Sequence, residues 1–227
     1  MTIAWSYSRL SDFENCPLLF KHKYILKTIK FVPNAATERG SKLHKQLERN
    51  VVRAGTGQAP VGDPEVLAAH PIIEAFVEVH PQIFIEDKMA FTKRMRPTGY
   101  FDKDVWLRAV FDLGGLSSTH NAGGSASILD WKTGQYRPNK DQVLLYNMCA
   151  LKFWDQIESV TSALVFIDHK KSAPPVTTTR DQLADLIDEF SDRAEAIQIA
   201  EQKDDWPAQK YWGCRFCGVN DCRYVKR

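Results

Sequence analysis

Charge imbalance is the first thing this chain lacks. Among its 227 residues, 30 lysines and arginines stand against 28 acidic residues, a formal charge of +2. So even a balance excludes binding to nucleic acid through overall charge, and any such surface has to be local. Also missing is a run of about 18 apolar residues, and residues 1–16 have neither the basic end nor the apolar stretch of a secretory signal. The chain therefore reads as a soluble, cytoplasmic protein with no membrane partner. It has no G-x-x-x-x-G-K-[ST] loop, which excludes a nucleotide-driven motor of that class. Cysteine is scarce, five in all; in an intracellular chain this argues against a disulfide framework and for metal binding or a reactive thiol.

Core-forming residues are plentiful, with 44% hydrophobic and 11% aromatic, enough for one large domain. Trp5, Leu10, Phe13 and Leu18 to Phe20 fit short helical pieces capped by Ser8 or Ser11, with Pro17 starting one of them. Leu43, Leu47 and Val51, four apart, predict an amphipathic helix over 37–52, and a second helix is expected over 64–79. Aromatic and β-branched residues in 83–92, 98–116 and 125–134 predict strands. The polar stretch 114–127 predicts a mobile connection between two of them. A helix over 141–156, a strand over 160–168, an edge strand near 174–180 and a long helix over 181–202 complete an α/β pattern: a central mixed β-sheet flanked by helices.

Within that pattern Asp112 and Asp130 each end an apolar strand, and Lys132 shares a face with Asp130 because residues i and i+2 of a strand point the same way. Carboxylates from neighbouring strands suit a hard cation such as Mg²⁺ or Mn²⁺, with sites left for water and phosphate. A lysine beside them suits orienting the attacking water and offsetting charge growing on phosphate oxygens. The acid-x-lysine triplet alone is weak, because Glu86-Asp87-Lys88 and Glu201-Gln202-Lys203 repeat it. Glu201 reads as solvated charge, and Glu86 is a secondary ligand candidate. The bland alternative for Asp112 and Asp130 is a pair of strand-end turn residues.

His44 lies beside the apolar stripe of its helix, and Gly40, four residues earlier, permits close approach of a strand or backbone. An imidazole next to two carboxylates suits Mn²⁺ better than Mg²⁺; the ordinary alternative is a surface or packed histidine. Gln142 and Tyr146, four apart, share a helical face shortly after Asp130. They are either a surface pair or part of the same site. Lys21, Lys23, Lys27, Lys30, Lys42, Lys45, Arg49 and Arg53 form a local set of cations suited to phosphate, with ordinary helix solvation as the alternative.

Cys214, Cys217 and Cys222 stand in a C-x2-C-x4-C series among glycines. One distant cysteine completes a four-thiolate set, and Cys16 just before Pro17 suits that role better than Cys149, which sits among Met148, Ala150 and Leu151. Zinc and an iron–sulfur cluster both fit four thiolates. Either ties the N-terminal segment to the C-terminal tail.

In their order, Ser8-Arg9-Leu10 through Cys16-Pro17, Gly40 and His44, Phe111-Asp112, Asp130-Trp131-Lys132-Thr133-Gly134, Gln142 with Tyr146 and the terminal cysteines resemble the RecB-like branch of the PD-(D/E)XK nuclease superfamily, particularly its iron–sulfur members such as the CRISPR adaptation nucleases and the AddB nuclease domain. The resemblance implies a restriction-endonuclease-like core, His44, Asp112 and Asp130 as ligands of Mg²⁺ or Mn²⁺, and catalytic Lys132. It further implies Gln142 and Tyr146 as supporting site residues, and a 4Fe-4S cluster on Cys16, Cys214, Cys217 and Cys222 in preference to Zn²⁺. It implies one nuclease domain, 1–227, with a catalytic core over about 37–200 and cluster-binding segments 1–36 and 201–227. The function implied is a DNA exonuclease on single-stranded or end-opened DNA, with a helicase or recombination partner to open duplexes. The alternative is a non-catalytic subunit, stabilised by its metal cluster, that holds DNA or protein in a recombination or CRISPR-like complex.

Overall fold

The computed structural model describes residues 3–117 and 123–225. The chain divides into two compact units, residues 33–187 and residues 1–32 with 188–227. No helix among the described residues is long and apolar enough to cross a membrane.

In the smaller unit, helix α1 spans Tyr7–Asn15 and α2 spans Pro17–Phe20, continued by a π-helical turn over Lys21–Ile25. The cap of α1 is Ser6 rather than Ser8 or Ser11; both of the expected caps lie inside the helix. Pro17 starts α2 as expected, since its missing N–H would be unpaired there anyway. The long helix α6 spans Leu183–Lys203 and brings Phe190, Ala194, Ile197 and Ala200 into the core of this unit. Phe20 stacks on Trp206 with ring centroids 5.9 Å apart, and Phe13 meets both edge-on.

The larger unit holds the sheet. Helix α3 spans Ala35–Gly55, longer at both ends than its apolar spacing indicates. The N-terminal extension follows from a capping box in which Asn34 accepts from the Thr37 N–H at 3.0 Å and Thr37 Oγ1 accepts from the Asn34 N–H at 2.9 Å. Helix α4 spans Pro64–Val79 behind Asp63, as expected. Strands β1 (Gln82–Phe91), β2 (Leu107–Leu116) and β3 (Gly124–Lys132) then run antiparallel to one another in turn. Helix α5 (Lys140–Phe153) crosses to β4 (Ile157–Phe166), which lies parallel to β3. The short strands β5 (Lys171–Ser172) and β6 (Val176–Thr179) pair antiparallel with β4, giving a six-stranded mixed sheet in the order β1-β2-β3-β4-β5 with β6 also on β4.

Alternate residues of the central strands feed two layers. Trp131 and Val165 join Leu43, Leu47, Val51, Val66 and Ile73 of α3 and α4, whereas Leu164 and Phe166 pack with Val143 of α5. Buried Asn147 of α5 locks this second layer, donating to Val176 O and to Thr178 Oγ1, each at 2.9 Å, and accepting from Ser162.

Two expectations change. Residues 114–116 and 124–127 are strand rather than loop, and residues 118–122 of the expected mobile connection lie outside the described residues. Residues 98–106 are a connection, not strand. Pro97, Gly99, Asp102 and Asp104 break the pattern, with Asp102 accepting from the Thr98 hydroxyl and the Gly99 N–H at 2.8 Å each.

Candidate active site

The paired positions Leu113↔Leu129 of β2 and β3, and Ile85↔Leu113 of β1 and β2, set Glu86, Asp112 and Asp130 in one row across three strands. Each lies one step beyond a paired residue. At this row the strands turn over. Ile85 and Leu113 belong to the core under α3 and α4, while Phe111, two residues before Leu113, packs against Trp154 at the end of α5. Residues two apart in a regular strand share a face, so the ladder is twisted here, and Glu86 takes a left-handed φ of 50°. That region is costly for a residue with a Cβ and is held by its surroundings.

Asp112 is fixed from two sides. Its Oδ2 accepts from the Trp131 N–H at 2.6 Å, and its Oδ1 lies 3.1 Å from His44 Nδ1 on α3. Burial works to raise its pKa, but hydrogen bonding and charge from His44, with the Trp131 N–H, hold it below the usual carboxylate value. His44 is held above the ordinary histidine value; burial opposes this, and the hydrogen bond and charge of Asp112 outweigh it. Glu86, half-buried and hydrogen-bonded to Asp112, is pushed up to about 7, first by desolvation and then by the neighbouring acid. One ligand atom each from His44, Glu86 and Asp112 lie within 4.8 Å of one another.

Asp130 is buried, and burial raises its pKa before the opposing pull of Lys132 and Tyr146 is counted. The Tyr146 hydroxyl donates to its Oδ1 at 2.6 Å, and Gln142 Nε2 donates to the Tyr146 oxygen at 2.8 Å. Asp130 Oδ2 accepts no well-aligned hydrogen bond, yet the Lys132 ammonium stands 2.5 Å away as an ion-pair partner. Asn139, capping α5 by accepting from the Gln142 N–H at 3.2 Å, sets the helix start from which Gln142 and Tyr146 reach back.

The turn after Lys132 is also pinned. Gly134, at φ 87°, donates its N–H to Asp168 Oδ2 at 2.6 Å, and Asp168 pairs with Arg39 at 2.7 Å. A Cβ on Gly40 would come within 3.1 Å of Thr133 Oγ1; the close neighbour at that glycine is a side chain rather than a backbone. The sequence expectations for His44, Asp112, Asp130, Lys132, Gln142 and Tyr146 thus meet in one place. Glu86, only a secondary ligand candidate from the sequence, stands with His44 and Asp112. Its acid-x-lysine triplet was visible, but neither its left-handed backbone nor its position opposite Asp112 was.

A hard cation fits this donor set: carboxylate oxygens from neighbouring strands, one imidazole, and a buried carboxylate oxygen with no well-aligned donor. Of the cations expected to meet phosphate, Lys21, Lys23 and Lys42 are paired with Asp204, Asp12 and Asp63, and Arg53 donates to Ala59 O. Lys45 and Arg49 line an open groove on α3 with Glu48, Val52 and Ile85.

Four of the five cysteines lie in the smaller unit; Cys149 is fully buried in α5 of the larger unit, and all five are free. Cys16, Cys217 and Cys222 gather in one apolar cluster with Leu19, Ile29, Tyr211 and Val219. Cys217 is raised first by desolvation and then by the charges of Cys16, Cys222 and Cys214. The Gln209 N–H points at Cys16 Sγ at 3.5 Å and the Tyr211 N–H at Cys214 Sγ at 3.4 Å.

No curated protein matches the chain in sequence. Among solved structures it is similar to the "Putative exonuclease" of Eubacterium rectale, with 13% identity and TM-score 0.52 over 95% of this chain and 86% of that one. It is likewise similar to the protein named SSO0001, with 15% identity and TM-score 0.50 over 99% of this chain and 87% of that one. At such identities the likeness speaks for the fold, a mixed sheet flanked by helices of the restriction-endonuclease-like kind. The sequence profile of the PD-(D/E)XK nuclease superfamily matches residues 4–222, and on that match, which spans nearly the whole length, the chain belongs to the PD-(D/E)XK nuclease superfamily.

Proposed function

We propose that this nuclease is a Mg²⁺- or Mn²⁺-dependent deoxyribonuclease that trims single-stranded or end-opened DNA as an exonuclease, and that it belongs to the RecB-like iron–sulfur branch. One observation carries the catalytic assignment: His44, Glu86 and Asp112 offer ligand atoms within 4.8 Å of one another, and Lys132 stands 2.5 Å from buried Asp130 in the same row. Bound there, the cation neutralises phosphate charge and eases deprotonation of the attacking water. His44 and the Trp131 N–H orient Asp112, and Tyr146 and Gln142 orient Asp130. The Lys132 ammonium, held beside Asp130, would offset the negative charge that grows on the phosphate oxygens. Glu86, which shares a hydrogen bond with Asp112, would be a further ligand, holding a cation in its deprotonated form.

Cys16, Cys214, Cys217 and Cys222 form the second metal site. Backbone N–H groups aimed at thiolate sulfurs are what a bound cluster or zinc ion uses to stabilise its ligands. The family resemblance favours a 4Fe-4S cluster over Zn²⁺. Joining the two ends of the chain, the centre stabilises the fold rather than taking part in hydrolysis. A helicase or recombination partner supplies single strands, since the chain has no P-loop of its own.

The test is labelled single-stranded DNA incubated with the full chain under Mg²⁺ and under Mn²⁺, beside Asp130→Ala and Lys132→Ala. Wild type shortens the strand and both variants leave it intact. A wild type that cuts no DNA form under either metal defeats the enzyme reading and favours the non-catalytic subunit. A brown protein carrying iron and sulfide supports the cluster; a colourless one carrying stoichiometric zinc refutes it.

A further inference from the structure

The connection from β1 to β2 carries chemistry that the acidic row does not use. Residues 88–108 hold six cations, Lys88, Lys93, Arg94, Arg96, Lys103 and Arg108, against two acids, Asp102 and Asp104. Both acids face the local turn, where the Thr98 hydroxyl donates to Asp102 at 2.8 Å and lies 3.4 Å from Asp104. At its outer surface Phe101 is 82% exposed, the most of any large hydrophobic residue among those described. Its ring meets Tyr100 edge-on at 5.1 Å. Arg108 lies over the Tyr100 ring at 5.3 Å, and Lys88 stands 5.7 Å from the Tyr100 ring and 5.9 Å from that of Phe101. Arg108 Nε also donates to Tyr100 O at 2.8 Å, so the aromatic pair is fixed to β2.

Exposing a phenylalanine to water is unfavourable, and a pair of rings braced by cations suits nucleic acid: an unpaired base stacks on the ring while its phosphates meet the ammonium and guanidinium groups. The position is telling. Arg108 and Val110 alternate along β2 and so share a face, Lys88 pairs with Val110 on that same face, and the strand leads on from there to Asp112. Four residues of strand put Arg108 about 14 Å from Asp112, a span of a few nucleotides of single strand.

We infer that Tyr100 and Phe101, flanked by Lys88 and Arg108, form a base-stacking subsite for single-stranded nucleic acid a few nucleotides from the phosphate that is cut. The inference rests on the nuclease reading above and deepens it, assigning the strand form of the substrate to particular residues.

The test uses the full chain and a fluorescein-labelled oligothymidylate. Binding is followed by anisotropy in Ca²⁺, and cleavage in Mn²⁺. Phe101→Ala removes an exposed ring and leaves the core untouched; Phe101→Trp keeps a stacking surface. Removing one base stack is expected to weaken Kd and raise KM about tenfold to a hundredfold, with kcat moving little and Phe101→Trp restoring wild-type values. An abasic substitution walked along the oligonucleotide lowers wild-type affinity at one position and adds no further loss in Phe101→Ala. A wild type that cuts while Phe101→Ala matches it in Kd and KM overturns the inference, and the exposed rings then serve a protein contact. A wild type that binds in a Phe101-dependent way yet cuts nothing leaves the subsite standing and defeats the nuclease reading instead.

Discussion

Replacing Tyr146 by phenylalanine separates the support of the metal site from the ligands themselves. The ring keeps its volume in the core, so packing is preserved and only one oxygen is lost. That oxygen donates to Asp130 Oδ1 at 2.6 Å and accepts from Gln142 Nε2 at 2.8 Å. Without it Asp130 Oδ1 keeps a long hydrogen bond from Gln142 Nε2, at 3.5 Å. A hydrogen bond to a charged group contributes about 1.5–3 kcal/mol, which is about tenfold to a hundredfold in an equilibrium constant. Residues that orient metal ligands cost about as much when removed. The expected outcome is a Mn²⁺ requirement raised about tenfold to a hundredfold, read from initial cleavage rates against Mn²⁺ concentration, with most of the rate recovered at saturating metal. A Tyr146→Phe protein that titrates with Mn²⁺ like wild type refutes the claim that this hydroxyl positions Asp130.

Three further outcomes follow from the same structure. Glu86, Asp130 and His44 all have folded pKa values above their unfolded ones, so each favours the fold below its unfolded pKa and loses that contribution as pH rises. Asp112, held low, works oppositely, but only below its ordinary value of 3.8. The melting temperature of the metal-free protein is therefore expected to fall as pH rises from 4.5 to about 7, and Glu86→Gln flattens that slope; a metal-free protein more stable at the upper end contradicts the assignment. Cys16→Ser is expected to empty the cysteine site, whereas Cys149→Ala keeps its full metal content and costs about 1 kcal/mol of stability for the buried sulfur, checked by metal analysis and thermal melts. Asn147→Ala strips partners from Ser162, Thr178 and Val176 O, all in the packed layer under α5. It should cost about 2–4 kcal/mol in urea unfolding, and a loss under about 1 kcal/mol would mean that water replaces the amide.

Most of the site was legible because its residues sit on regular elements whose periods are simple. Asp130 and Lys132 follow the two-residue repeat of β3, and Gln142 and Tyr146 the four-residue spacing of α5. Their convergence on one carboxylate needed only that these elements be neighbours. Glu86 ranked only as a secondary candidate because its place beside Asp112 comes from a left-handed φ and from the cross-strand partner that register gives it, and neither leaves a mark in composition. The connection over 98–106 was misread as strand for a related reason. Tyr100, Phe101 and Trp106 carry the aromatic signal of a sheet, but only Trp106 is buried, while Phe101 faces solvent. Asn147 gave no signal, since a polar residue within an apolar helix pattern looks like an ordinary exposed position until its three partners are seen.

The turnover of β1 and β2 at Glu86 and Asp112 makes this hairpin two lengths of ribbon with one fixed joint. Beyond the joint the outer ribbon runs from Asp87↔Phe111 to Phe91↔Leu107, and it is anchored by its own contacts, Phe91 on Phe153 and Phe111 on Trp154. Its length in residue pairs acts as a ruler between the acids and the aromatic tip. Two residues added to each strand keep every side chain on its face and lengthen the ruler by about 7 Å; one added to each inverts the tip. On the stacking proposal above, the strand length of the hairpin would set how many nucleotides separate the gripped base from the acids.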